Sequence, residues 1–152
     1  MEKILLIATT EADGTLAKPA FEALAAAKTL ASGLSGSTLA VGLIGASAQA
    51  GADALASCGA AKFLAVTGEA WKDGTYANDA AATEALVKAA GATLVVAPAT
   101  TRVSRFLSGA AARLGGVVDT HATEVAVVNG APSITRWYYR QRMTAKVARS
   151  GR

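Results

Sequence analysis

Cysteine and histidine occur once each in the 152 residues, as Cys58 and His121. One cysteine excludes an internal disulfide and leaves no zinc pattern. It reads as a small buried side chain. One histidine, with no nucleophile patterned beside it, leaves no catalytic dyad to build; His121 reads as a polar residue at a strand entry. Aromatic residues are only 5% of the chain, so its core must close through small side chains, and alanine, a quarter of the residues, supplies them. No apolar run reaches the ~20 residues that a membrane-spanning helix needs. Met1-Glu2-Lys3 runs straight into a strand pattern, so no signal peptide is expected, and the expected location is cytoplasmic. The length suits one domain with a substantial core.

Apolar runs alternate with helical periods over the first two thirds. The run at 3–9 (KILLIAT) predicts a first strand, and the Asp-Gly loop at 10–16 leads to a helix over about 17–34. In that helix Leu16, Ala20, Ala23, Ala27, Leu30 and Leu34 recur at the spacing of one buried face. Strands are expected at 37–43, 62–66 and 94–97, and helices at 48–57, 79–90 and 105–114. Asn78 or Asp79 is the expected N-cap of the third helix, and Trp71 and Tyr76 pin the connection before it. Asn129-Gly130 between 124–128 and 133–139 is a hairpin signal, and a third strand follows at 143–149. The right-handed crossover rule then predicts the strand order 3-2-1-4, with the hairpins added beyond strand four. The expected fold class is α/β: a doubly wound, Rossmann-like, mostly parallel sheet with helices on both faces and a C-terminal antiparallel hairpin extension.

Two places draw attention. The order reversal sets the loop at 10–16 beside residues 100–105, with Glu11 and Asp13 facing Arg102 and Arg105. An anion site would use Thr100, Thr101, Ser104 and the helix start as donors. The plainer reading, which is preferred, is a salt-bridged rim that only fixes the loops; Arg102→Ala would then cost no more than about 1 kcal/mol. Neither loop carries a dinucleotide or P-loop glycine pattern. The second place is the C-terminal hairpin. Residues 1–98 carry a net charge of −3 and residues 99–152 carry +7. Across 133–149, odd positions Trp137, Tyr139, Met143, Ala145 and Val147 are mostly apolar, and even positions Arg136, Arg140, Arg142 and Lys146 are basic. One packed face and one basic surface for a protein partner are expected. The acidic first half argues against nucleic acid, and no membrane partner is expected.

Three stretches carry a family resemblance. They are ILLIATTEADGTLAKPAFEALAAAKTLA near the start, APATTRVSRFLSGAAARLGGVVDT in the middle, and RWYYRQRMTAKV near the end. In this order they resemble the N-terminal domain of the electron transfer flavoprotein alpha subunit over essentially the whole chain. The middle stretch is similar to that family's Thr/Ser–Arg loop and its helix ending A-A-R-L-G before an aspartate. In the last, Arg136 and Tyr139 match an R-P-x-Y-x-G-N hairpin, whereas Trp137 replaces the proline and Gln141-Arg142 the Gly-Asn. The resemblance implies an electron-carrier subunit domain, not an enzyme, pairing with a beta-type subunit that shares in electron transfer from dehydrogenases through FAD. It implies one N-terminal domain over 1–152, without the family's FAD-binding C-terminal domain, so no cofactor is expected in this chain. The residues put forward for an interface or anion site are Arg102, Ser104, Arg105, Arg136, Tyr139 and Arg140. The alternative is a small-ligand or nucleotide-binding regulatory domain of the universal-stress-protein type.

Overall fold

A computed structural model describes residues 1–148. At its centre is β1 (Lys3–Thr9), in which five consecutive side chains, Ile4 to Ala8, are buried. A strand can be apolar throughout only if both of its faces are covered. Ile4, Leu6 and Ala8 join the core on the side of α1 (Lys18–Gly33), and Leu5 and Ile7 join the core on the side of α3 (Tyr76–Ala90). Each larger side chain so buried contributes about 1.5–3 kcal/mol. β2 (Thr38–Gly45), β3 (Lys62–Thr67) and β4 (Leu94–Val96) complete a parallel sheet in the order β3-β2-β1-β4, as expected from the crossover rule.

Two of the helices begin where a threonine hydroxyl caps them, whereas α1 follows its N-cap residue Ala17 with no side-chain cap. Thr75 Oγ1, and neither Asn78 nor Asp79, accepts the first-turn amide of α3, from Asn78 at 3.3 Å. Thr100 Oγ1 likewise accepts from the Val103 amide at 3.3 Å. α4 (Thr101–Arg113) therefore starts four residues before the expected 105, and the supposed polar loop is its first turn. It packs on α3 through Ala80, Val103, Phe106 and Ala110. α2 (Gln49–Ala54) is shorter than the 48–57 expected, because residues 55–58 unwind into turns.

β5 (Ala122–Val128), β6 (Ala131–Tyr138) and β7 (Met143–Ala148) form an antiparallel sheet of their own. They do not continue the parallel sheet beyond β4: β5 runs against α1 instead. A Cβ on Gly33 would sit 2.7 Å from Val127 Cγ2, so the helix has no room there for any side chain. Val125 and Val127 pack on the α1 core beside Leu94 and Val96. The first hairpin turns at Asn129-Gly130, both at positive φ (52° and 75°), as anticipated. Arg149, the last residue of the expected final strand, lies outside the described residues.

The second turn overturns the expected face pattern. Tyr138 pairs with Met143, which leaves four residues in the loop and sets even positions of β6 opposite odd positions of β7. Residues directly opposite share a face. Ile134, Arg136 and Tyr138 thus lie with Met143, Ala145 and Val147, while Thr135 and Trp137 lie with Thr144 and Lys146. The four basic residues do not form one surface: Arg136 and Lys146 are on opposite faces, and Arg140 and Arg142 are in the turn.

Candidate functional site

The reversal of strand order between β1 and β4 opens a crevice of about 350 Å³ at the carboxyl ends of the strands, where open α/β sheets place ligands. Thr9, Thr10, Glu11, Lys72, Thr100 and Arg102 contribute its polar lining. The guanidinium of Arg102, however, is spent on the protein itself. Its Nε donates to Asp79 Oδ2 at 2.9 Å, and its Nη2 donates to Asp79 Oδ1 at 2.8 Å and to the Trp71 carbonyl at 2.7 Å. The Asp79 side chain is 2% exposed and that of Arg102 is 18%. This is a bidentate ion pair at the joint between α3, α4 and the 3-10 turn at Glu69–Trp71. Gly74, at φ +45°, leaves it space, since a Cβ there would collide with Arg102 Nε. The arginine opposes the dipole of α4, and the buried carboxylate answers it.

Thr10 and Lys72 are engaged as well. Thr10 Oγ1 donates to the Ser47 carbonyl at 2.8 Å. Lys72 Nζ meets Glu69 Oε1 at 3.1 Å, and that hydrogen bond holds the ammonium pKa above its usual value. Asp13 does not face the arginines. It turns back on Thr15, accepting from the hydroxyl at 2.6 Å and from the amide at 3.0 Å, which lowers its carboxyl pKa. The loop closes on itself through Glu11 N to Thr15 O, and Gly51 N donates to Gly14 O, each at 2.9 Å. Ser104 and Arg105 are exposed on α4 and do not line the crevice. A dinucleotide pyrophosphate usually rests on a glycine-rich turn into a helix, and neither loop has that glycine pattern.

The hairpin residues separate into two groups. Arg136 folds back onto the protein: Nη1 reaches Asp119 Oδ1 at 3.4 Å, Nη2 reaches Thr120 Oγ1 at 3.4 Å, and the guanidinium lies 4.8 Å from the centroid of the Tyr138 ring. It braces β6 to the segment that follows α4. Tyr139 and Arg140 stand exposed at the tip with Arg142. Tyr139, Arg140 and Gln141 have successive positive φ values of 48°, 53° and 67°.

Elsewhere, Trp71 donates Nε1–H to the Asn78 carbonyl at 3.2 Å, so it does pin the connection before α3. Cys58 is buried, and His121 is exposed with Nδ1 3.1 Å from Thr120 Oγ1. Among the described residues no group of three His, Cys, Asp or Glu is placed to hold a metal, and no helix is long and apolar enough to cross a membrane. Sequence reasoning missed Asp79 as the partner of Arg102. The Thr75-x-x-Asn78 cap was the available signal, since it leaves Asp79 free to turn inward. The family model described as the electron transfer flavoprotein domain matches residues 4–152. No curated protein matches the chain.

Proposed function

The chain belongs to the electron transfer flavoprotein domain family, and on that footing we propose that it is an alpha-subunit-type N-terminal domain: a scaffold that pairs with a beta-type subunit, while FAD is held outside this chain. Electron carriage is the family's role, and the domain contributes docking, not bond chemistry. One observation carries the alpha-type reading. Two of the stretches that resemble the alpha subunit meet in space, as Asp119, which follows the A-A-R-L-G helix end, accepts from Arg136 of the hairpin. The residues of the resemblance thus brace the second sheet together. The crevice is in keeping with the FAD assignment, because the Thr10 and Thr100 hydroxyls, the Arg102 guanidinium and the Glu11 and Gly14 amides are bonded within the chain.

The test mixes the purified chain with the beta-type subunit of the same organism in size-exclusion chromatography. A one-to-one complex is expected, and the chain alone should stay colourless after desalting from excess FAD. Absence of any complex would refute the pairing, and a stoichiometric flavin band would refute the cofactor assignment. Saturable binding of an adenine nucleotide by the chain alone would favour a regulatory nucleotide-binding domain instead.

A further inference from the structure

We propose that the tip of the β6–β7 hairpin is the anchor of the pairing, with Tyr139 entering an apolar recess on an acidic surface of the beta-type subunit and Arg140 and Arg142 meeting its carboxylates. This rests on the pairing reading above. Trp137, Tyr138, Tyr139 and Met143 are all exposed, Tyr139 by 74% and Met143 by 57%. The four-residue turn sets Tyr138 and Met143 on one face of the ribbon and Trp137 on the other. The tip is therefore apolar on both sides, with a ring at its end, and an exposed apolar cluster on one projecting element marks an interaction site.

The backbone points the same way. Three successive non-glycine residues hold left-handed φ values, a conformation L side chains disfavour. The backbone hydrogen bond within this turn is that of the Arg142 amide to the Tyr139 carbonyl at 3.2 Å. Strain of this kind gathers where a side chain must be presented. The base of the ribbon is held by Arg136 on Asp119, so the tip is offered on a fixed support. Tyrosine, tryptophan and arginine are the residues enriched where binding energy concentrates.

Charge selects the occupant. A second copy meeting this tip about a two-fold axis would bring Arg140 and Arg142 against their own images, a like-charge contact that disfavours the pairing. A different chain with carboxylates around an apolar slot removes that repulsion and gains from it.

The experiment titrates the full chain with the purified beta-type subunit by calorimetry at low and high salt. Tyr139→Asn removes the ring but keeps a residue that tolerates positive φ, and it should weaken binding at least tenfold with an unchanged circular dichroism spectrum. The pair Arg140→Glu with Arg142→Glu should weaken it at least tenfold at low salt and less at high salt. Lys146→Glu, on the other face of the ribbon, should leave binding within twofold. If the complex forms and the tip variants bind within twofold of the parent, the anchor is overturned and the pairing stands. If the parent chain forms no complex, both fall. Self-association of the chain that Tyr139→Asn abolishes would also overturn the proposal, in favour of a second copy.

Discussion

Arg102→Ala distinguishes a buried brace from a solvated rim. The substitution removes both hydrogen bonds to Asp79 and the one to the Trp71 carbonyl. It leaves the Asp79 carboxylate, at 2% exposure, without its cation. An exposed ion pair is worth about 0–1 kcal/mol, but removing one member of a buried pair costs about 3–5 kcal/mol. The larger figure applies, because the carboxylate is shielded on every side and the arginine is mostly so. Against a total stability of about 5–15 kcal/mol, that is a substantial fraction, and at roughly 2–4 °C per kcal/mol for a domain of this size it lowers Tm by about 10 °C. Urea titration followed by circular dichroism reads it directly: the midpoint should fall with the slope unchanged. Arg105→Ala, one turn on and exposed, should change stability by less than about 0.5 kcal/mol. Replacing both partners, as Arg102→Met with Asp79→Leu, should recover most of the loss, because an apolar pair leaves no stranded charge. A loss below about 1 kcal/mol for Arg102→Ala would refute the reasoning and return the residue to the rim.

Three further outcomes follow from the geometry. Gln141→Gly should raise the urea midpoint, by up to about 1 kcal/mol, because glycine accepts the φ of 67° that glutamine resists; no gain would show that the turn is unstrained. Gly33→Ala should destabilise by about 1–3 kcal/mol, since its Cβ would sit 2.8 Å from Val127 Cβ, and adding Val127→Ala should relieve part of that cost; a neutral Gly33→Ala would mean that the second sheet rides freely on α1. The Thr15 hydroxyl and amide hold the Asp13 carboxyl low, and the Lys88 ammonium does the same for Glu84. A depressed folded pKa contributes stability above the unfolded value and loses it as pH falls through the folded one. The effect is therefore a mild acid destabilisation, and Thr15→Val should move the Asp13 titration midpoint upward by NMR.

Strand order was legible because it depends on rules that are local or chiral. KILLIAT reads as a strand from its apolar run alone, and the crossover rule then left few arrangements. The faces of the hairpin were not legible, because they depend on the number of residues in one turn. A loop of four between Tyr138 and Met143 reverses the parity that a continuous odd-even count assumes. The same count placed Arg136 among exposed cations, although its partners lie 16 and 17 residues earlier at Thr120 and Asp119. Arg102 failed for a related reason. Its partner is 23 residues back on another helix, and no periodicity within either helix announces a contact between them. The start of α4 was recoverable, since Thr100 three residues before Val103 is a capping position.

The two candidate places therefore differ in how their groups are satisfied. At the crevice, the hydroxyls of Thr10 and Thr100, the guanidinium of Arg102 and the ammonium of Lys72 each have a partner within the chain. A ligand drawing on those four groups would compete with bonds that are already made, and those of Arg102 hold α3 to α4. At the hairpin tip the situation is inverted. Rings and guanidinium groups face solvent on a backbone whose φ values are unfavourable for the residues it carries. Tyr139 and Met143 are 74% and 57% exposed, so covering them with a partner would add apolar burial to the association. On the scaffold reading proposed above, a partner would take hold of this tip, and the flavin would be held by another part of the assembly.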